Sequence, residues 1–136
     1  MKDPAAIRTA LAQHTGTQDY HRWSGLFRHA VLTDGAMCLA EMCGAFWLMD
    51  LIASHQRPAL MEKCHGFQCW NLKSDGKRGA VATCDDGDGH VFASQAIPFT
   101  DFPFGAFEEG TAKLYVCDQP VGSSDLLKVI MLPSEY

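Results

Sequence analysis

Residues 66–99, GFQCWNLKSDGKRGAVATCDDGDGHVFASQAIPF, decide the fold. The stretch reads strand, turn, strand, turn, strand. FQCWNLKS, AVATC and HVFASQAI supply the strands, and KSDGKRG and DDGDG supply the turns. Both turns carry Asp-Gly, the favoured hairpin chemistry, because glycine accepts positive φ at little cost. Two successive hairpins make an antiparallel sheet the centre of the molecule.

Working outward, KLYVC at 113–117 is a further strand. LLKVIML at 126–132 is apolar and β-branched in the middle. Ser124-Asp125 would suit a helix cap there, but Val129-Ile130 favour a strand, and a strand is the reading adopted. Upstream, a short strand is expected over 26–32. Thr33 and Asp34 then cap a long helix over about 35–54. That helix is apolar almost all round, through Met37, Leu39, Met42, Phe46, Trp47, Leu48, Leu51 and Ile52. It needs cover on most sides, from the sheet and from other helices or a second subunit. Pro58 marks its end or the linker beyond. A short helix over 4–13 opens the chain, with Pro4 in its first turn. The expectation is a single α+β domain spanning 1–136. An antiparallel sheet of about 4–6 strands carries the long apolar helix and the short N-terminal helix on one face.

The chain has 136 residues, of which 47% are hydrophobic and 20% charged, an ordinary globular mix. Its formal net charge is −5. The charge is uneven: residues 1–30 carry +2, residues 31–82 are neutral, and residues 83–136 carry −7. Such acidity weighs against nucleic acid as a partner. MKDPAAIRTALAQ has charges where a secretory signal needs an apolar run. Glu41 and Asp50 interrupt the apolar stretch 35–53, so it reads as a buried helix, with no membrane partner. Six cysteines without a signal point to reduced thiols and a cytoplasmic setting.

Several constellations invite chemistry. Cys64-His65 with Cys69 gives C-H-x3-C, and Cys84 lies on the next strand. Zinc prefers two close pairs, and no C-x2-C occurs, so neither metal nor cofactor is expected. Cys64 beside His65 lacks any protease signature, so no catalytic residue is assigned. Asp34, Glu41, Asp50 and His55 would merit suspicion if the fold buried them together. Asp85, Asp86 and Asp88 form an acidic hairpin tip without EF-hand spacing. Its simplest reading is a solvated turn, yet as a negative protrusion it suits a basic partner surface. Tyr20, His21, Arg22 and Trp23, with Arg28 and His29, mix basic and aromatic groups in a polar linker. FTDFPFGAF at 99–107 holds four Phe in nine residues, more than one loop usually buries. An exposed aromatic patch edged by acids is a credible protein-binding surface. The predicted surface therefore joins Asp85, Asp86 and Asp88 to Phe102, Phe104, Phe107, Glu108 and Glu109.

The segments LTDGAMCLAEMCGAFWLMDLIAS (32–54), FQCWNL (67–72), IPFTDFP (97–103) and LPSEY (132–136) carry a family likeness. Together they resemble an uncharacterised family of small proteins encoded by phages, plasmids and other bacterial mobile elements. The resemblance implies a bacterial host cytoplasm, where small acidic accessory proteins act by binding another macromolecule. Inhibitors of host defence, anti-CRISPR proteins among them, belong to that category. The expected function is non-enzymatic binding of a bacterial protein or protein complex, with inhibition of a defence complex as its form. The alternative is a small hydrolase or transferase with a His/Asp or Cys/His site that lacks a linear motif. A homodimer, completing the burial of the apolar helix, is compatible with either.

Overall fold

The computed structural model describes residues 3–122 and 126–136. Helix α1 (Pro4–Ala12) is followed by strands β1 (Tyr20–His21) and β2 (Ala30–Thr33). Three helices come next: α2 (Asp34–Cys43), α3 (Phe46–Ser54) and α4 (Pro58–Lys63). The remaining strands are β3 (Phe67–Ser74), β4 (Ala80–Asp85), β5 (Val91–Ile97), β6 (Thr111–Pro120) and β7 (Leu126–Met131). They form one sheet in the order β1-β2-β7-β6-β3-β4-β5.

The two hairpins stand where their turn chemistry puts them. β3 pairs with β4 from Cys69 opposite Asp85 to Ser74 opposite Ala80, and β4 pairs with β5. In the first turn the Asp75 carboxylate accepts from the amides of Lys77 (2.7 Å) and Gly79 (3.2 Å), and Gly76 takes φ +80°. Residues 126–131 form a strand, as their β-branched centre suggests; Ser124 and Asp125 lie outside the described residues.

Three expectations need correction. The sheet has seven strands rather than four to six. The additional one, β1, has only two residues and carries no periodicity to read. The sheet is mixed, because β2 and β7 run parallel while every other pair is antiparallel. Two strands so far apart in sequence have no shared turn to impose an antiparallel pairing.

The long helix is the third correction. α2 stops at Cys43 because Gly44 adopts the left-handed conformation (φ 59°, ψ 41°), with its amide bonded to the Ala40 carbonyl. A left-handed glycine just past the last turn ends a helix and satisfies its free carbonyls. α3 then starts afresh at Phe46. The break lets each piece turn its own face inward: Ala36, Leu39 and Ala40 from α2, then Leu48, Met49 and Ile52 from α3. Pro58 begins α4, as a proline at a first helical position can.

The helices cover one face of the sheet. Ile7, Leu39, Met49 and Ile52 pack with Leu32, Trp70, Leu72, Leu114, Val116 and Ile130 into the main core. Strand alternation sends Val31, Val129, Met131 and Cys117 to the opposite face, where they form a small second cluster beside Phe67 and Tyr115. No helix among the described residues is long and apolar enough to cross a membrane.

Candidate functional site

The outer face of β3, β4 and β6 is apolar at one end, where Phe67, Tyr115 and Cys117 pack, and largely polar over the rest, which α1 flanks. Along β3 the alternation that buries Trp70 and Leu72 turns Asn71 and Lys73 outward. Lys113 lies opposite Asn71 on β6, and Thr83 lies opposite it on β4. Together they floor an open groove of about 1240 Å³, with Arg8 and Leu11 of α1, Pro133 and Ser134 supplying further wall.

Four of the eight predicted binding residues line this groove: Asp85, Phe107, Glu108 and Glu109. Register places them at opposite ends. Asp85 sits opposite Cys69, near the start of β3, whereas Thr111, just after the two glutamates, sits opposite Lys73 near its end. The groove therefore runs along the strands with an acid at each end and two lysines between. Glu108 and Glu109 are exposed. The Asp85 carboxylate accepts from the Asn71 amide (2.9 Å) and the Gly87 backbone (2.7 Å).

Asp86 and Asp88 stand beyond that end, on the β4–β5 turn. The Asp86 carboxylate accepts from the Asp88 amide (2.9 Å) and meets His90 Nδ1 at 3.0 Å. The backbone bond from Asp88, foremost, holds the Asp86 carboxyl below its ordinary range. Asp88 itself is exposed.

The phenylalanine loop divides. Phe102 is 5% exposed, stacked on Phe107 at 5.3 Å and set edge-on to Trp47 at 6.5 Å. Its ring supports the groove wall from beneath and does not face solvent. Phe104 and Phe107 are half-buried. The exposed ring of the loop is Phe99, at 70%, which was not among the predicted binding residues. Asn71, Thr83, Lys73 and Lys113 were also missed, although period-two alternation against Trp70, Leu72 and Leu114 identifies them.

The titratable groups of the helical region do not converge. Asp50 accepts from the Trp23 indole at 2.8 Å, His55 meets Gln95 at 2.7 Å, and Glu41 is exposed. Arg22 of the basic and aromatic linker donates to the Arg28 carbonyl, and Trp23 stacks on Phe27. Asp34 does find a histidine: its Oδ1 lies 2.8 Å from His21 Nε2. The Gln18 amide donates to the other oxygen at 3.0 Å. That backbone bond first, and His21 second, lower the Asp34 carboxyl to about 2. The pair opens on a shallow hollow of about 310 Å³ shared with Cys38 and Glu41.

The cysteine constellation is split by the sheet. Cys84 faces the helices with Trp70, and its sulfur lies 4.0 Å from that of Cys64. Cys69, one residue from Trp70, points to the other face and contacts Asn71. Burial raises the thiol pKa of Cys64, Cys69 and Cys84 alike. His65 is exposed on a left-handed backbone (φ 56°). Among the described residues, no three His, Cys, Asp or Glu side chains come together as a metal site.

A model of a family of unknown function, DUF6876, matches residues 5–136. The chain belongs to this family. No curated protein and no solved structure matches it. The family's description assigns no activity, so the groove is read on its own chemistry.

Proposed function

We propose that this chain is a non-enzymatic binding protein whose outer-face groove takes an extended segment of a bacterial protein, basic where it meets the acidic ends and polar or acidic where it crosses Lys73 and Lys113. The carrying observation is the groove itself: an open stretch of sheet face flanked by α1 and edged by Asp85, Glu108 and Glu109. Outward side chains on a strand repeat every second residue, about 6.8 Å, the same repeat as an extended peptide laid along it. Asn71 and Thr83 offer amide and hydroxyl groups to such a chain, and Phe107 and Val81 offer apolar contact. The acids at the ends, with Asp86 and Asp88 beyond, steer a basic partner in. The setting is that of an accessory protein of a phage or mobile element, and its target is a host complex such as a defence complex.

The test is capture of bacterial proteins on the tagged chain, with a Glu108→Lys/Glu109→Lys variant and an Asp88→Lys variant in parallel. A stoichiometric partner that the wild type holds and the glutamate variant loses, with fold and thermal midpoint unchanged, supports the reading. A partner held equally by both variants overturns the groove as the contact.

A second reading, a small hydrolase or transferase, draws on the His21–Asp34 bond beside its hollow. It separates cleanly: His21→Ala would abolish turnover and leave protein capture intact.

A further inference from the structure

Among the described residues β5 ends the sheet, with β4 on one side and no strand on the other. It runs for seven residues, VFASQAI, without a charge or a proline. Proteins ordinarily blunt such an edge with lysine, proline, a bulge or a very short strand. A single bulge is present, near the start: Asp85 pairs with Val91 and Cys84 with Ala93, leaving Phe92 unopposed. From 93 to 97 the edge is regular. Val91 (55%), Phe92 (39%) and Phe99 (70%) are exposed along or just beyond it.

The two ends of this edge present different exposed charges. Beside Val91 stands the turn with Asp86 and Asp88. Beside Ile97 stands the β3–β4 turn with exposed Lys77 and Arg78. The Thr100 amide donates to the Arg78 carbonyl at 2.9 Å, so the chain leaving β5 runs against that turn. Asp75 in that turn accepts backbone amides, as Asp86 does at the other end, and Asp101 is exposed just past the Thr100 contact, so the contrast rests on exposed Lys77 and Arg78 at one end and exposed Asp88 at the other. The six rises of about 3.4 Å from Val91 to Ile97 separate the ends by roughly 20 Å.

We propose that β5 is a self-association edge, along which two copies of this chain pair antiparallel about a two-fold axis. An antiparallel pair sets the start of one β5 beside the end of the other. Asp86 and Asp88 of each copy then meet Lys77 and Arg78 of its mate, twice by symmetry. The same arrangement brings Val91 toward the mate's Phe99. A foreign strand has no reason to match this spacing of charges, whereas a second copy matches it by construction. The pairing shares Val91, Asp86 and Asp88 with the acidic end of the groove, whereas Lys77 and Arg78 belong to the pairing alone and Glu108 and Glu109 to the groove alone, so substitutions there tell the two apart.

The test is the sedimentation mass of the full chain over rising concentration, at low and high salt. Expected are a shift from one chain toward two and a dissociation constant that rises with salt. Ser94→Lys, which sets like charges together on the paired edges, should raise that constant by roughly tenfold or more. The Lys77→Glu/Arg78→Glu chain has acid at both ends, and the Asp86→Asn/Asp88→Lys chain keeps only Asp85 at its tip and gains a cation beside it; the asparagine keeps the turn's acceptor. Each should be weakened alone, and an equimolar mixture should recover the dimer as a heterodimer. This charge swap leaves β5 untouched and stands even if Ser94→Lys does not fold. A chain that stays monomeric throughout overturns the proposal. So does a dimer indifferent to both the edge and the turn substitutions, or a mixture that fails to recover. So does a bacterial protein that binds the monomer and is lost with Ser94→Lys.

Discussion

At the residue scale, one carboxylate ties the chain's far end to the start of α2. Glu135 accepts from the Thr33 hydroxyl (2.6 Å) and from the amides of Gly35 and Leu132 (3.0 Å each). Thr33 in turn caps α2 by accepting from the Ala36 amide at 3.2 Å. A Cβ on Gly35 would run into the Glu135 carboxylate and Leu132, so glycine is the residue that lets them close. Glu135→Ala leaves two amides without their acceptor and should cost about 1–3 kcal/mol of stability, read by chemical denaturation. Asp34 adds a pH dependence. Its folded pKa, about 2, lies below the ordinary 3.8, so the unfolded chain binds the proton more readily. The stabilisation is complete above the ordinary value and is lost as pH falls from about 4 toward 2. Acid titration of the unfolding free energy should show a shallower loss in that window for Asp34→Asn than for the wild type. Little of this was legible beforehand. Thr33 and Asp34 announce a helix start, but nothing local tells Gly35 that its partner lies 100 positions away.

At the element scale, the strands were read better than the helices. Asp-Gly turns act over a few residues, so both hairpins followed from local chemistry. The continuous helix over 35–54 did not, because composition alone treats Gly44 as a tolerable interior glycine. In the fold its left-handed backbone is required to redirect α3 onto the sheet. Gly44→Ala should therefore not fuse α2 and α3. It should destabilise by about 1 kcal/mol, the cost of holding a residue with a Cβ in that conformation, measured as a lowered denaturation midpoint. β1 shows the other limit of local reading. Two residues carry no period, and its place beside β2 is fixed by pairing, with His21 bonded to Asp34.

At the scale of the whole molecule, the sheet sorts the side chains into three environments: a helix-covered core, a small apolar outer cluster and a polar groove. Thiol chemistry reports this sorting. Cys38 is partly exposed and the other five cysteines are buried. Burial also raises the Cys38 pKa, with Glu41 and Glu135 adding to it. Labelling of the native chain at neutral pH should be slow and should start at Cys38. The remaining five should react only on unfolding, as counted by mass spectrometry. By itself the sequence determined the class α+β, the hairpins, the acidic tip and which residues on β3, β4 and β6 are polar, since all of these depend on neighbours a few positions apart. Only the tertiary structure decided that β7 lies parallel to β2, that Phe102 is buried while Phe99 is exposed, and that Asp85 and Glu108 share one groove. Those facts depend on segments distant in the chain that compete for the same apolar cover, and burial is settled by the whole packed molecule.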